Sequence, residues 1–168
     1  MFGRGGQSNE RRISVLVKTH QGGLRTFLRR MCRNDALADD LAQETFLRAF
    51  QKLDQLKEQT SEKAWIYQIG YRIFLDHVRK EKRRRDLSDA KMQEPEAVVE
   101  NTGVKMDVEH AMNNLPEAQR AAVMLCLAYG FSHAEAATAL GQPLGTVKSH
   151  VNRGKNALRG FLMAYERA

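Results

Sequence analysis

The stretch Ser132 to Arg159, SHAEAATALGQPLGTVKSHVNRGKNALR, limits the fold of this chain more than any other. It reads as two helices joined by a tight turn. Ser132 precedes Glu135 by three residues, the capping-box spacing that satisfies free N–H groups at a helix start. Ala134 to Leu140 is rich in Ala and Leu, which favour helix. Gly141 stands where a C′ glycine belongs. Pro143 stands where a second helix begins, and its missing N–H costs nothing there. Val147, Val151, Gly154 and Leu158 then recur at +4, +7 and +11, one buried face of a helix. Thr146, Lys148, Ser149, His150, Asn152, Arg153, Lys155 and Arg159 fall elsewhere on its surface. Helix, turn, basic helix is the helix-turn-helix arrangement, whose second helix enters the DNA major groove. The plainer alternative is a helical hairpin with a solvated charged face.

A chain of 168 residues makes one or two small domains. At 42% hydrophobic content it can bury a core, and 3 prolines among long periodic segments point to an all-α protein. The net charge of +7 favours nucleic acid or another polyanion, although it also suits a membrane surface. The charge is uneven: +9 over residues 1–85, −5 over 86–109 and +3 over 110–168. Two basic blocks around an acidic one suggest two binding modules and a linker. Cys32 and Cys126 lie in different blocks on apolar helical patterns, which predicts buried reduced thiols. No CxxC or clustered Cys/His spacing calls for zinc. MFGRGGQSNERR lacks an apolar signal-peptide core, and no apolar run reaches membrane-spanning length. The expected location is the cytoplasm, with no membrane insertion.

Residues 1–9 are Gly-rich and polar, and disorder is expected there. From Glu10 to Met31 the apolar period is helical, with a bend or break expected at Gly22–Gly23. Asp35 can cap a second helix whose inner side is roughly Leu37, Leu41, Thr45, Leu47 and Phe50. On that helix Asp39, Asp40, Gln43 and Glu44 form a compact acidic surface inside a basic block. Asp54 to Glu62 reads as a loop. Ser61 can cap a third helix with Trp65, Ile66, Ile69, Ile73, Phe74 and Val78 on its apolar side. That helix runs into RKEKRRR, Arg79–Arg85. Aromatic groups beside cations suit single-stranded nucleic acid. Trp65 and Phe74 read as core, whereas Tyr67 and Tyr71 fit either core or base stacking. The basic run fits phosphate contact, or a solvated helix end complementing the dipole. Residues 86–107 hold Pro95 and Gly103 without sustained period and form a flexible acidic linker, able to shield the basic modules. Residues 10–85 and 108–168 are then the two domains. The second opens with a short helix from Val108 to about Asn114. Pro116 starts the next, with Ala121, Val123, Met124, Leu125, Leu127 and Ala128 apolar, and Gly130 ends it.

These segments, in this order, resemble the extracytoplasmic-function (ECF) bacterial sigma factors over roughly residues 14–85 and 109–162. DALADDLAQETFLRAF resembles that family's region 2.2, and WIYQIGYRIFLDHVRKEKRR its regions 2.3 and 2.4. LPEAQRAAVMLCLAYGFSHAEAATALGQPLGTVKSHVNRGKNALR resembles region 4. The resemblance implies a dissociable subunit of core RNA polymerase. Asp40, Gln43 and Glu44, with neighbouring Asp39, match positions that dock on the polymerase, where acidic residues supply charge complementarity. The loop Gln55–Ser61 and the helix after it match the surface that recognises and opens the −10 promoter element. Its candidate residues are Tyr67, Tyr71, Arg72, Arg79, Lys82, Arg83 and Arg84. Thr146, Lys148, Ser149, His150, Asn152 and Arg153 cover the recognition helix that reads the −35 element. An anti-sigma factor covering both domains is a further expected partner, and neither metal nor cofactor is called for.

The chain departs from the family in places. Many members carry Arg-Asn where it has Tyr71–Arg72. Gln68 replaces a common basic residue, Gly70 a common Ala, and His150 and Asn152 common aromatic or basic ones. Its promoter preferences are therefore its own. A stand-alone DNA-binding regulator would have no use for the acidic cluster. A nucleic-acid-processing enzyme would need a metal or acid/base constellation, and none is legible.

Overall fold

The computed structural model describes residues 4–88 and 103–166, and every regular element among them is helical. The helices are α1 (Arg4–Cys32), α2 (Asp35–Gln51), α3 (Glu62–Leu87), α4 (Gly103–Asn113), α5 (Glu117–Val123), α6 (His133–Leu140) and α7 (Leu144–Glu166). A 3₁₀ turn, Leu53–Gln55, comes after α2, and a π-helical turn, Met124–Ala128, continues α5. The chain divides into two compact units, with α1–α3 in the first and α4, α5 and α7 in the second. The expected linker, 86–107, lies mostly outside the described residues. Its first residues, Asp86 and Leu87, belong to α3, and its last, from Gly103, open α4.

In the first unit α1 runs antiparallel to α2 and parallel to α3. Arg29 of α1 meets Asp35 at the start of α2, at 3.8 Å, while the earlier Arg25 reaches the later Asp39 at 4.0 Å. Along α3 the order is the other way. Arg12 meets Glu62, Gly23 meets Tyr67, and Phe27 meets both Tyr67 and Tyr71. Leu16, Leu24, Phe27, Leu28, Ile66, Tyr67, Ile73 and Phe74 are buried between them.

α1 is unbroken through Gly22–Gly23, against expectation. The physical reason is the neighbour at Gly23: a Cβ there would stand 2.6 Å from Tyr67 Oη. The glycine is a close approach between helices rather than a breaker, so packing offsets its poor helix propensity. Helix also extends back to Arg4 where disorder was expected, and residues 1–3 lie outside the described residues. Asn34, not Asp35, caps α2: its side chain accepts from the Leu37 N–H at 2.9 Å, and Arg33 before it takes a left-handed φ of 54°. Ser61 caps α3 as expected, accepting from the Ala64 N–H at 3.2 Å.

In the second unit α7 packs on α4 and α5. Val147, Val151 and Gly154 are buried on the expected face, and Leu158 is half-buried. Gly130 and Gly141 end their helices with φ of 67° and 62°, the conformation only glycine adopts without strain. The π turn admits an extra residue per turn, which rotates the side chains near its end away from the core. Leu127 and Ala128 accordingly face outward, contrary to the apolar-side expectation, with Leu127 53% exposed. The two cysteines are free and only half-buried. Burial raises both thiols above their ordinary range, opposed at Cys126 by Lys155. That keeps them protonated near neutral pH.

Candidate functional site

The acidic residues of α2 do not act alike. Asp39 turns toward α1, 3.5 Å from Arg29 Nη2 and within reach of Arg25. It belongs to the ion pairs that join the two helices. Asp40 and Gln43 are exposed, while Glu44 is half-buried and pairs with Arg48 one turn on. Leu47 and Phe50 come after Gln43 at +4 and +7 and are 59% and 44% exposed. The inner-side expectation is thus overturned for these two: Ala38, Leu41, Ala42, Thr45 and Ala49 fill the buried face instead. What α2 offers outward is a stripe of carboxylates running into bare apolar side chains. That chemistry fits a protein partner with cations beside an apolar surface.

On α3 the structure separates the proposed nucleic-acid contacts. Tyr67 and Tyr71 are core residues, 2% and 3% exposed. The Phe27 ring lies 5.5 Å from Tyr67 and 6.4 Å from Tyr71, and Phe74 stacks on Tyr71 at 6.1 Å. These rings anchor about two turns of α3 to α1, so neither tyrosine face is open to a base. Trp65, read as core in the sequence, is only half-buried. Trp65, Gln68, Arg72, Arg79 and Arg83 succeed one another at +3, +4, +7 and +4, a single stripe along the helix, and the three arginines are exposed. Arg79 lies 3.5 Å from Asp76, and Arg84 3.1 Å from Glu81. Arg83 Nε donates to the Arg79 carbonyl at 3.4 Å. Lys82 is also exposed. Pairs this open are worth at most about 1 kcal/mol, so a phosphate can replace the carboxylate.

The α6–α7 hairpin matches the sequence reading closely. The Ser132 N–H donates to Glu135 Oε2 at 2.8 Å, and the Glu135 N–H donates to Ser132 Oγ at 3.1 Å, both halves of the capping box. The Val147 N–H donates to the Pro143 carbonyl at 3.1 Å. Lys148, Ser149, Asn152 and Arg153 are exposed on α7. Thr146 and His150 are half-buried, and His150 Nδ1 is buried. These two flank the exposed rows rather than forming them.

Known proteins match both halves. The Sigma-70 region 2 family matches residues 16–84, and Sigma-70, region 4 matches residues 105–158. The ECF RNA polymerase sigma factor EcfG of Rhodopseudomonas palustris is 35% identical over 144 residues, covering 83% of this chain and 78% of that one. The chain belongs to the ECF family of RNA polymerase sigma factors. ECF sigma factor SigE of Mycolicibacterium smegmatis is also 35% identical, over 88% of this chain, which spans 60% of that longer protein. Among solved structures, the sigma factor RpoE of Bartonella quintana, in complex with the anti-sigma factor NepR, superimposes with a TM-score of 0.78. It is 31% identical, over 88% of this chain and 94% of that one.

In this sigma factor the α2 and α3 surfaces fall inside the region 2 match and the α7 rows inside region 4. Two surface features were not in the sequence reading. Asn156, exposed, extends the Ser149–Arg153 row at +3, and its polarity within a basic helix was the available signal. Leu127, Leu158, Leu162 and Met163, with Lys155 and Arg159, line a shallow groove of about 340 Å³. Leu127 lines it because it faces outward from the π turn, which no local pattern announces. No group of three or more His, Cys, Asp or Glu side chains is placed to hold a metal among the described residues. No described helix is long and apolar enough to cross a membrane.

Proposed function

We propose that the sigma factor divides its work between its two units, α1–α3 and the region 4 helices, joined through the segment between Leu87 and Gly103. Asp40, Gln43 and Glu44, continued by Leu47 and Phe50, dock on core polymerase. The loop Gln55–Ser61 and the Trp65–Arg72–Arg79–Arg83 stripe, with Lys82 and Arg84, engage the −10 element as it opens. Lys148, Ser149, Asn152 and Arg153 read the −35 element. The chain itself catalyses no reaction, acts in the cytoplasm without entering a membrane, and is held in check by an anti-sigma factor. The Bartonella relative bound to NepR supports that last step, as do the exposed apolar residues of α2 and the α7 groove.

The observation that carries the reading is the opposition of charge on one small bundle. An outward acidic face on α2 and an outward basic face on α3 suit a protein and a nucleic acid respectively. The test is transcription from a genomic fragment library by purified bacterial core polymerase, with and without this chain. Specific start sites should depend on it. The double variant Asp40→Lys, Glu44→Lys should lose core binding while keeping its helix content. Core binding equal to wild type places the dock elsewhere.

A further inference from the structure

We propose that the N-terminal turns of α1 brace the α2–α3 loop, with Asn9 and Arg12 as positioning residues for capture of the −10 strand. The inference rests on the reading of that loop as the −10 surface.

The face of α1 toward α3 is a continuous series, Asn9, Arg12, Ile13, Leu16, His20, Gly23 and Phe27, spaced as one side of a helix. From Leu16 to Phe27 that face packs. Leu16 and Phe27 are buried, and Gly23 admits Tyr67. Beyond Leu16 the chemistry changes from apolar to hydrogen-bonding. Asn9 Nδ2 donates to Asp54 Oδ1 at 3.1 Å, and Arg12 Nη2 donates to Glu62 Oε1 at 3.3 Å. Those two acceptors are the feet of the loop: Asp54 lies in the 3₁₀ turn that enters it, and Glu62 is the first residue of the helix that leaves it. His20, half-buried, adds a second group beside Glu62.

Leu53 and Leu56 are buried beneath the loop, the Thr60 N–H closes a turn on the Lys57 carbonyl at 3.0 Å, and the tip Lys57, Glu58 and Gln59 is exposed. A tip held only at one foot would sample many positions. Ties at both feet remove that freedom before a base arrives, and pre-organisation of this kind raises affinity without adding a contact. Both ties are solvent-exposed, so each carries a small effect and the pair a several-fold one.

The test uses holoenzyme made with the full chain, and two probes: a single-stranded −10 oligonucleotide and a duplex carrying only the −35 element. Asn9→Ala with Arg12→Ala should weaken single-strand binding roughly three- to tenfold, leaving −35 duplex binding and core affinity unchanged. Arg12→Lys should keep most of the affinity. Arg12→Glu and Glu62→Arg should each weaken binding, and their combination should recover it, which separates positioning from loss of fold. A loop-tip variant, Lys57→Ala with Gln59→Ala, is the reference. If the tip variant loses single-strand binding while the α1 variants and the swap behave as wild type, the brace is wrong and the loop reading stands. If the tip variant binds as wild type, the loop reading fails and the brace falls with it. Equal losses for single charge reversals and their combination also overturn the brace.

Discussion

Gly154→Ala should destabilise the second unit, although the same change elsewhere on α7 should stabilise it. Ala in place of Gly inside a helix gains about 0.8–1.0 kcal/mol from propensity. At position 154 the new Cβ would stand less than 3.0 Å from Val123 Cγ2, and 3.7 Å from both the Gln119 carbonyl oxygen and Leu115 Cδ1. Carbon atoms rest about 3.5–4.0 Å apart, so Val123 or the helix must give way. Val123 is 2% exposed and β-branched, with one strongly preferred rotamer in a helix, so it cannot swing aside. Overpacking of this kind costs about 1–3 kcal/mol, sometimes more. With the methyl this close, the upper end applies, and the net loss is about 1–2 kcal/mol. For a unit of this size each kcal/mol lowers the melting temperature by about 4–8 °C. Gly160 has nothing within 4 Å of its Cβ position, so Gly160→Ala should raise stability by up to about 1 kcal/mol. Urea or thermal denaturation of the two variants reads the difference. Adding Val123→Ala to Gly154→Ala should give a loss smaller than the sum of the singles by at least about 0.5 kcal/mol, the signature of a direct contact. Gly154→Ala as stabilising as Gly160→Ala would refute the argument.

Tyr71→Phe should leave permanganate-detected strand opening within about twofold of wild type and Tyr71→Ala should cost about 3–5 kcal/mol of stability, whereas Arg72→Ala should reduce opening more than initial duplex binding. Arg153→Ala should cost about 1–3 kcal/mol on the preferred −35 site and relax one position in a randomised selection, because a guanidinium can bond two acceptors on guanine. Lys148→Ala, if phosphate-bound, should weaken all sites alike and lower the salt slope by about one. Burial holds the His20 imidazole below its ordinary 6.5, against the pull of Glu62 and helped by Lys63. The unfolded chain therefore protonates first, so stability is full above about pH 6.5 and is lost as pH falls through the lower folded value. His20→Gln should flatten that acid-side loss in denaturation curves taken between pH 5 and 8.

What was legible in the sequence was what is decided locally. The Ser132–Glu135 box, the Gly141 terminator and the Val147–Val151–Gly154 face each depend on residues within a turn or two, and each is present. What was not legible depends on a neighbour from another helix. Gly22–Gly23 breaks a helix by propensity, yet Tyr67 turns Gly23 into a packing site. Asp39 reads as part of the acidic cluster until the antiparallel start of α2 brings Arg25 and Arg29 against it. Tyr67 and Tyr71 suit a core and a nucleic acid equally in composition, and the ring of Phe27 decides between them. Leu47 and Phe50 fail the pattern in the opposite sense. Their hydrophobicity argues for the core, yet Ala38, Leu41, Ala42, Thr45 and Ala49 fill the buried face of α2 instead. Apolar groups left bare in this way suit the proposed polymerase dock.

The carboxylates of the region 2 unit are handled in two ways. On α1–α2, Asp35 and Asp39 are used up in pairs between helices, which fixes the bundle. On α3, Asp76 and Glu81 pair with arginines one turn away on the same helix. Those pairs contribute nothing to how the helices pack, so exchanging them for phosphates leaves the fold intact. The region 2 unit thus sets the Asp35 and Asp39 pairs between helices and the Asp76 and Glu81 pairs within one helix, and the proposed −10 stripe carries the second kind.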